Sequence, residues 1–114
     1  MGLTHAKIIK EKGMSHVLIR HKIKNYESWK PVFDRFKETR RLGGEKSYWI
    51  SHPSDDPNNL FLLFEWDTLE NAKKFLGSPI LRDTMQKAGV TELPEVHFLE
   101  EVEKGAATLS YART

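Results

Sequence analysis

The sequence has no cysteine. That absence excludes disulfide staples, thiolate catalysis and cysteine-ligated zinc together, and it fits a reducing compartment, so a cytoplasmic protein is expected. Long hydrophobic runs are missing too. Nothing approaches the roughly 20 apolar residues of a membrane helix, and the N-terminal stretch lacks the apolar centre of a secretion signal, so no membrane partner is expected. Glycine is sparse, and the lone pair Gly43-Gly44 follows a helical stretch rather than a strand, which makes it a stop signal and not a phosphate cradle. There is no dinucleotide fingerprint, no H-E-x-x-H and no Ser-His-Asp order. An excess of one charge is also lacking, the net being +2. Residues 1–46 carry twelve Lys/Arg against five Asp/Glu, and residues 47–114 carry six against eleven. The basic residues stand singly, without a nucleic-acid motif, so they read as solvated faces and no nucleic-acid partner is expected.

What is present is one ordinary globular domain. At 114 residues the chain can bury about two-thirds of its unfolded surface. MGLTHAKIIKEKG shows no period and precedes Met14, so residues 1–14 are expected to be a loose arm or a translated leader, with Met14 the natural start. HVLIRHKI, residues 16–23, reads as a strand. In NYESWKPVFDRFKETRRLGG, Trp29, Val32, Phe33 and Phe36 form one helical stripe. Pro31 belongs in a first turn, which makes Ser28 the expected cap of a single helix ending at Gly43-Gly44. EKSYWISH (45–52) and LFLLFEW (60–66) are strands joined by the turn formers PSDDPNN. Asp67-Thr68-Leu69-Glu70 has capping-box spacing, with Asp67 the expected cap of a helix to Leu76. Ser78-Pro79 opens another helix, ending at Gly89, and EVHFLEEV (95–102) is a fourth strand. The domain is expected over 15–103, with a loose tail over 104–114. The order predicts an α+β fold, a ferredoxin-like split βαβ sandwich with helices on one face of a four-stranded antiparallel sheet.

Strand alternation gives that sheet two apolar sides. Leu60, Leu62, Phe64 and Trp66 oppose Phe61, Leu63 and Glu65, Val96 and Phe98 oppose His97 and Leu99, and Val17 and Ile19 oppose Leu18 and Arg20. Helices can cover only one side. An uncovered apolar face is rare in monomers, so a second copy of the chain is the expected partner, two sheets packing as one barrel in a homodimer.

Together HVLIRHKI, YESWKPVFD, DDPNNLFLLFEWDTLENAKKF, LRDTMQKAGV and FLEEVE resemble the dimeric α+β barrel proteins. Within these, residues 15–103 are similar to the small proteins grouped with antibiotic biosynthesis monooxygenases, often labelled cyclases. The resemblance implies a homodimer with a ligand cavity between sheet and helices. It also implies aromatic or polyketide-like substrates oxidised by oxygen without metal or flavin, degradation of haem as in other relatives, or no catalytic activity at all, and it carries no catalytic residue onto positions here.

The residues themselves offer few chemical candidates. His52-x-x-Asp55-Asp56 reads as a polar turn. His16 and His21 point to opposite sides of one strand and cannot chelate together, so no metal and no cofactor are expected. His97 and His21, among apolar neighbours, are the candidate proton acceptors, with a core hydrogen bond as the alternative for each. Trp49, Tyr48, Trp66 and His52 are candidate ligand-lining residues for a flat aromatic or hydrophobic molecule, Trp49 standing beside small Ser47 and Ser51. Trp29 and Trp66 also read as core. Arg20 and Glu65 on adjacent central strands would form an interface ion pair. Two functions stay open: a cofactor-free oxygenase or cyclase-like enzyme, and a homodimer that binds a small molecule or serves as a structural module without turnover.

Overall fold

A computed structural model describes residues 15–107, so the expected leader over residues 1–14 and the tail from residue 108 lie outside it. The strands are β1 (Ser15–Lys22), β2 (Glu45–Ser51), β3 (Asn59–Trp66) and β4 (Glu95–Glu100), antiparallel throughout in the order β2-β3-β1-β4. Four helices join them: α1 (Tyr26–Arg35), α2 (Lys37–Gly43), α3 (Leu69–Leu76) and α4 (Pro79–Lys87). This is the expected ferredoxin-like sandwich.

Registration decides which apolar set meets the helices. Val17 pairs with Phe64 and Phe98, Ile19 with Leu62 and Val96, and His21 with Leu60. Val17, Ile19, Leu60, Leu62, Phe64 and Trp66 are buried beneath Trp29 and Phe33 of α1 and Ala72 of α3. Each large side chain so enclosed contributes roughly 1.5–3 kcal/mol. Trp29 stacks on Phe33 at 4.8 Å and Phe75 leans on Trp66 at 5.2 Å, locking α1 and α3 to the sheet.

The helix ends differ from expectation. Asn25, not Ser28, caps α1, its Oδ1 accepting the Ser28 N–H at 2.8 Å. Pro31 therefore lies inside the helix and deprives the Glu27 carbonyl of its donor. Both residues are exposed, so water can satisfy that carbonyl. The single helix expected up to Gly43 is broken at Phe36 (φ −88°, ψ 4°), whose N–H is shared by the carbonyls of Val32 and Phe33. The break starts α2 anew and brings Arg40 under the core. Thr68 rather than Asp67 caps α3: its hydroxyl accepts the Asn71 N–H at 3.0 Å, while Asp67 accepts the Thr68 N–H at 2.6 Å. Gly44, at φ 126°, holds the left-handed turn into β2 that an L side chain would resist. The fourth strand ends at Glu100 instead of Val102, which is 97% exposed.

Candidate functional site

Between the covered sheet side and the helices lies a cavity of about 160 Å³. Its floor comes from β1 and β3, including Ile19, Leu62 and Trp66, and its roof from Trp29, Phe33 and Phe75. The alternation that buries Val17 and Ile19 also carries residue 21 inward, whatever its chemistry. His21 is thus 4% exposed and lines the cavity. Neither ring nitrogen has a hydrogen-bond partner in the protein, and the aromatic neighbour Trp29 stands edge-on at 5.8 Å. Burial, and secondarily the charge of Arg20, lowers its pKa to about 4. His21 is therefore neutral near pH 7, with one N–H and one lone pair idle. Leaving such a group unsatisfied costs about 1–3 kcal/mol, which a ligand with matching polar atoms would recover.

Arg40 is the second buried polar residue in the wall, also 4% exposed. Its Nε donates to Glu45 at 2.6 Å and its Nη1 to the Phe33 carbonyl at 2.5 Å, while its guanidinium lies 3.7 Å over the Phe33 ring. Nη2 has no partner. Burial pushes the Glu45 carboxyl above its usual range, and the ion pair with Arg40 opposes that shift. Sequence reasoning missed Arg40, though it extends the stripe Trp29, Phe33, Phe36 by one more turn. Thr84 also reaches the wall, but its hydroxyl is occupied, donating to the Ile80 carbonyl at 2.7 Å.

Of the residues singled out in the sequence, the cavity gathers His21 and Trp66. Tyr48 is on the same sheet side, edge-on to Phe33 at 5.0 Å and outside the lining. His97 and Trp49 face the other way. They pair with Leu18 and Leu63 on the open side, and His97 stands exposed on edge strand β4 rather than among interior neighbours, because β4 turns Val96 and Phe98 toward the helices. Trp49 is 51% exposed. His52 ends beyond β2 with its Nδ1 2.7 Å from the Pro53 carbonyl oxygen, above a turn closed by the Asp56 N–H donating to that same carbonyl. Among the described residues no three His, Asp or Glu side chains converge as a metal set.

The open side carries Leu18, Phe61, Leu63, Trp49 and Leu99, with polar groups around them of which Arg20, Ser47, Glu65 and Glu95 are engaged. Arg20 donates to Glu95 at 2.8 Å and to Asn59 at 2.9 Å, Ser47 donates to Glu65 at 2.6 Å, and His16 lies 3.7 Å from Glu65. The expected Arg20–Glu65 pair does not form: registration puts Arg20 opposite Phe61 and Glu65 opposite His16.

No family model and no curated protein matches the chain. Solved structures do. SnoaB, a cofactor-independent oxygenase from Streptomyces nogalater, superposes with a TM-score of 0.65 at 14% identity, over 81% of this chain and 96% of that one. An antibiotic biosynthesis monooxygenase candidate from Bordetella bronchiseptica gives 0.65 at 16%, over 81% and 100%. A conserved protein of Methanosarcina mazei gives 0.64 at 13%, over 82% and 98%. The chain has the fold of antibiotic biosynthesis monooxygenase-like structures, as its sequence resemblance implied. No described helix is long and apolar enough to cross a membrane.

Proposed function

We propose that two copies of this chain pair through their open sheet sides in the cytoplasm, and that each cavity binds a small flat aromatic molecule and promotes its oxidation by oxygen without a cofactor. The observation that carries this reading is His21, a neutral imidazole with both nitrogens idle inside an apolar chamber. A dry chamber and one positioned base suit the abstraction of a proton from an activated CH₂ group. His21 takes that proton and the carbanion adds to O₂. The peroxide anion regains the proton from His21, and loss of water leaves a carbonyl, one oxygen atom in the product and one in the water. The half-apolar open side supports pairing, since several large side chains buried there outweigh the entropy of association.

Binding without turnover is the second reading. It is favoured by the depressed pKa of His21, about 4, which makes the imidazole a weak base while the cavity is empty. Oxygen uptake with single-ring aromatics that carry an activated CH₂ group separates the two. Uptake that disappears in His21→Phe supports catalysis; uptake that persists there removes His21 as the base. Native mass measurement at micromolar concentration tests the pair, and a monomer would overturn it.

A further inference from the structure

We propose that Arg40 is a second, specificity-setting anchor of the cavity. It selects an uncharged, single-ring aromatic with a carbonyl oxygen at the Arg40 end and a hydroxyl at the His21 end, over the matching carboxylate. This deepens the ligand reading above and rests on it.

Three observations carry it. The first is placement. His21 stands opposite Leu60 at one end of β3, and Glu45, which holds Arg40, stands opposite Trp66 at the other. A row of rings joins them, with Arg40 over Phe33, Phe33 stacked on Trp29 and Trp29 edge-on to His21. A flat molecule lying along that row meets apolar faces in the middle and a polar atom at each tip. The second is charge. Glu45 already balances the Arg40 cation at 2.6 Å, so the pair is electrically neutral and Nη2 offers its N–H donors without net charge. An anion brought there would be a buried charge lacking its own counter-ion, whereas a carbonyl oxygen satisfies the donor at no such cost. At the far tip, neutral His21 can accept from a hydroxyl through its bare ring nitrogen or, in the other ring orientation, donate to it through its N–H. The third is size. A dry cavity of about 150 Å³ is enough to hold benzene, and the volume here, about 160 Å³, matches one ring rather than a fused polycycle.

The test is a titration of the full chain at neutral pH with 4-hydroxyacetophenone and 4-hydroxybenzoate, near-isosteres that differ in charge. It is read from the His21 ring resonances and from tryptophan fluorescence. The ketone is expected to bind at least about tenfold more tightly, a gap worth one buried, unmatched interaction. Glu45→Gln leaves the Arg40 cation uncompensated and should shift the preference toward the carboxylate by about tenfold or more. Arg40→Lys keeps the charge pair but loses the planar third N–H, and should weaken ketone binding about tenfold with the His21 contact retained. Equal affinities in the native chain, or a ratio that neither variant moves, would overturn the role of Arg40 and leave the cavity as a ligand site. If neither compound perturbs His21, the cavity reading fails and this inference with it. An anthrone that binds more tightly than the single-ring ketone would overturn the size limit.

Discussion

The two sides of the sheet treat their polar groups in opposite ways. On the open side Arg20, Ser47, Glu65 and Glu95 are all engaged with one another, half in water, around a patch of leucine and aromatic side chains. On the covered side the two buried polar residues of the cavity wall, His21 and Arg40, are each 4% exposed, and both have nitrogens with no partner in the protein. A satisfied polar rim around an apolar patch is the anatomy of a surface that meets another protein. Polar groups without protein partners in an apolar chamber are the anatomy of a place suited to a small molecule. On the reading proposed above, the difference separates a pairing face from a ligand chamber across a single sheet, side chains on one side of the backbone from those on the other.

The sharpest way to break that contrast is to remove one member of the buried pair. Arg40→Ala would strand the Glu45 carboxylate in the interior, and a loss of about 3–5 kcal/mol in urea unfolding is expected. Replacing both partners, as in Arg40→Met with Glu45→Leu, should recover most of it. A single substitution that costs no more than a surface change would show the pair to be hydrated. Next in size is the effect of pH through His21. Its folded pKa, about 4, lies below the unfolded value of 6.5, so the unfolded chain holds more protons between those limits. Stability is complete above pH 6.5, falls as the pH drops through that window, and is level again below about 4. The shift corresponds to roughly 3 kcal/mol. Denaturant midpoints across the window should show the slope, and His21→Phe should flatten it without lowering stability near pH 7, because no hydrogen bond is lost. On the open side, Leu63→Asp places a charge at the centre of the proposed pairing surface. Dimer dissociation should rise about hundredfold, or roughly 3 kcal/mol, in sedimentation, with the folded subunit intact.

How much of this was readable beforehand follows from what alternation can and cannot say. The period-two pattern in LFLLFEW and HVLIRHKI predicts two apolar sides, and both are there. It cannot say which side the helices will take. That depends on registration, and for this reason His97 and Trp49 looked as eligible for the cavity as His21 did. Turn chemistry made the Asp55-Asp56 segment legible, whereas the caps were not, because neighbouring cap formers compete: Asn25 precedes Ser28, and Thr68 follows Asp67, with only side-chain geometry to choose between them. Arg40 escaped notice for a different reason. An arginine late in a helix reads as solvated, and although Arg40 continues the stripe of Trp29, Phe33 and Phe36, its burial also needs Glu45 five residues on to hold the charge.

The smallest expected effect sharpens the contrast from the open side. Arg20 and Glu95 form an ion pair at 2.8 Å as short as many buried ones, yet both side chains keep substantial contact with water. Each draws the other's pKa toward its charged form, the hydrogen bond being the leading cause. Exposed pairs contribute little because water and salt screen them and ordering two long side chains opposes the gain. Arg20 also donates to the side-chain Oδ1 of Asn59. Arg20→Gln should therefore leave the thermal midpoint of the subunit unchanged within error at moderate salt. Its trace should appear only in association, as a slower and less salt-sensitive on-rate if this rim meets a second copy. An Arg20→Gln variant as unstable as Arg40→Ala would mean that the rim is in truth buried, and the distinction between the two sides of the sheet would collapse.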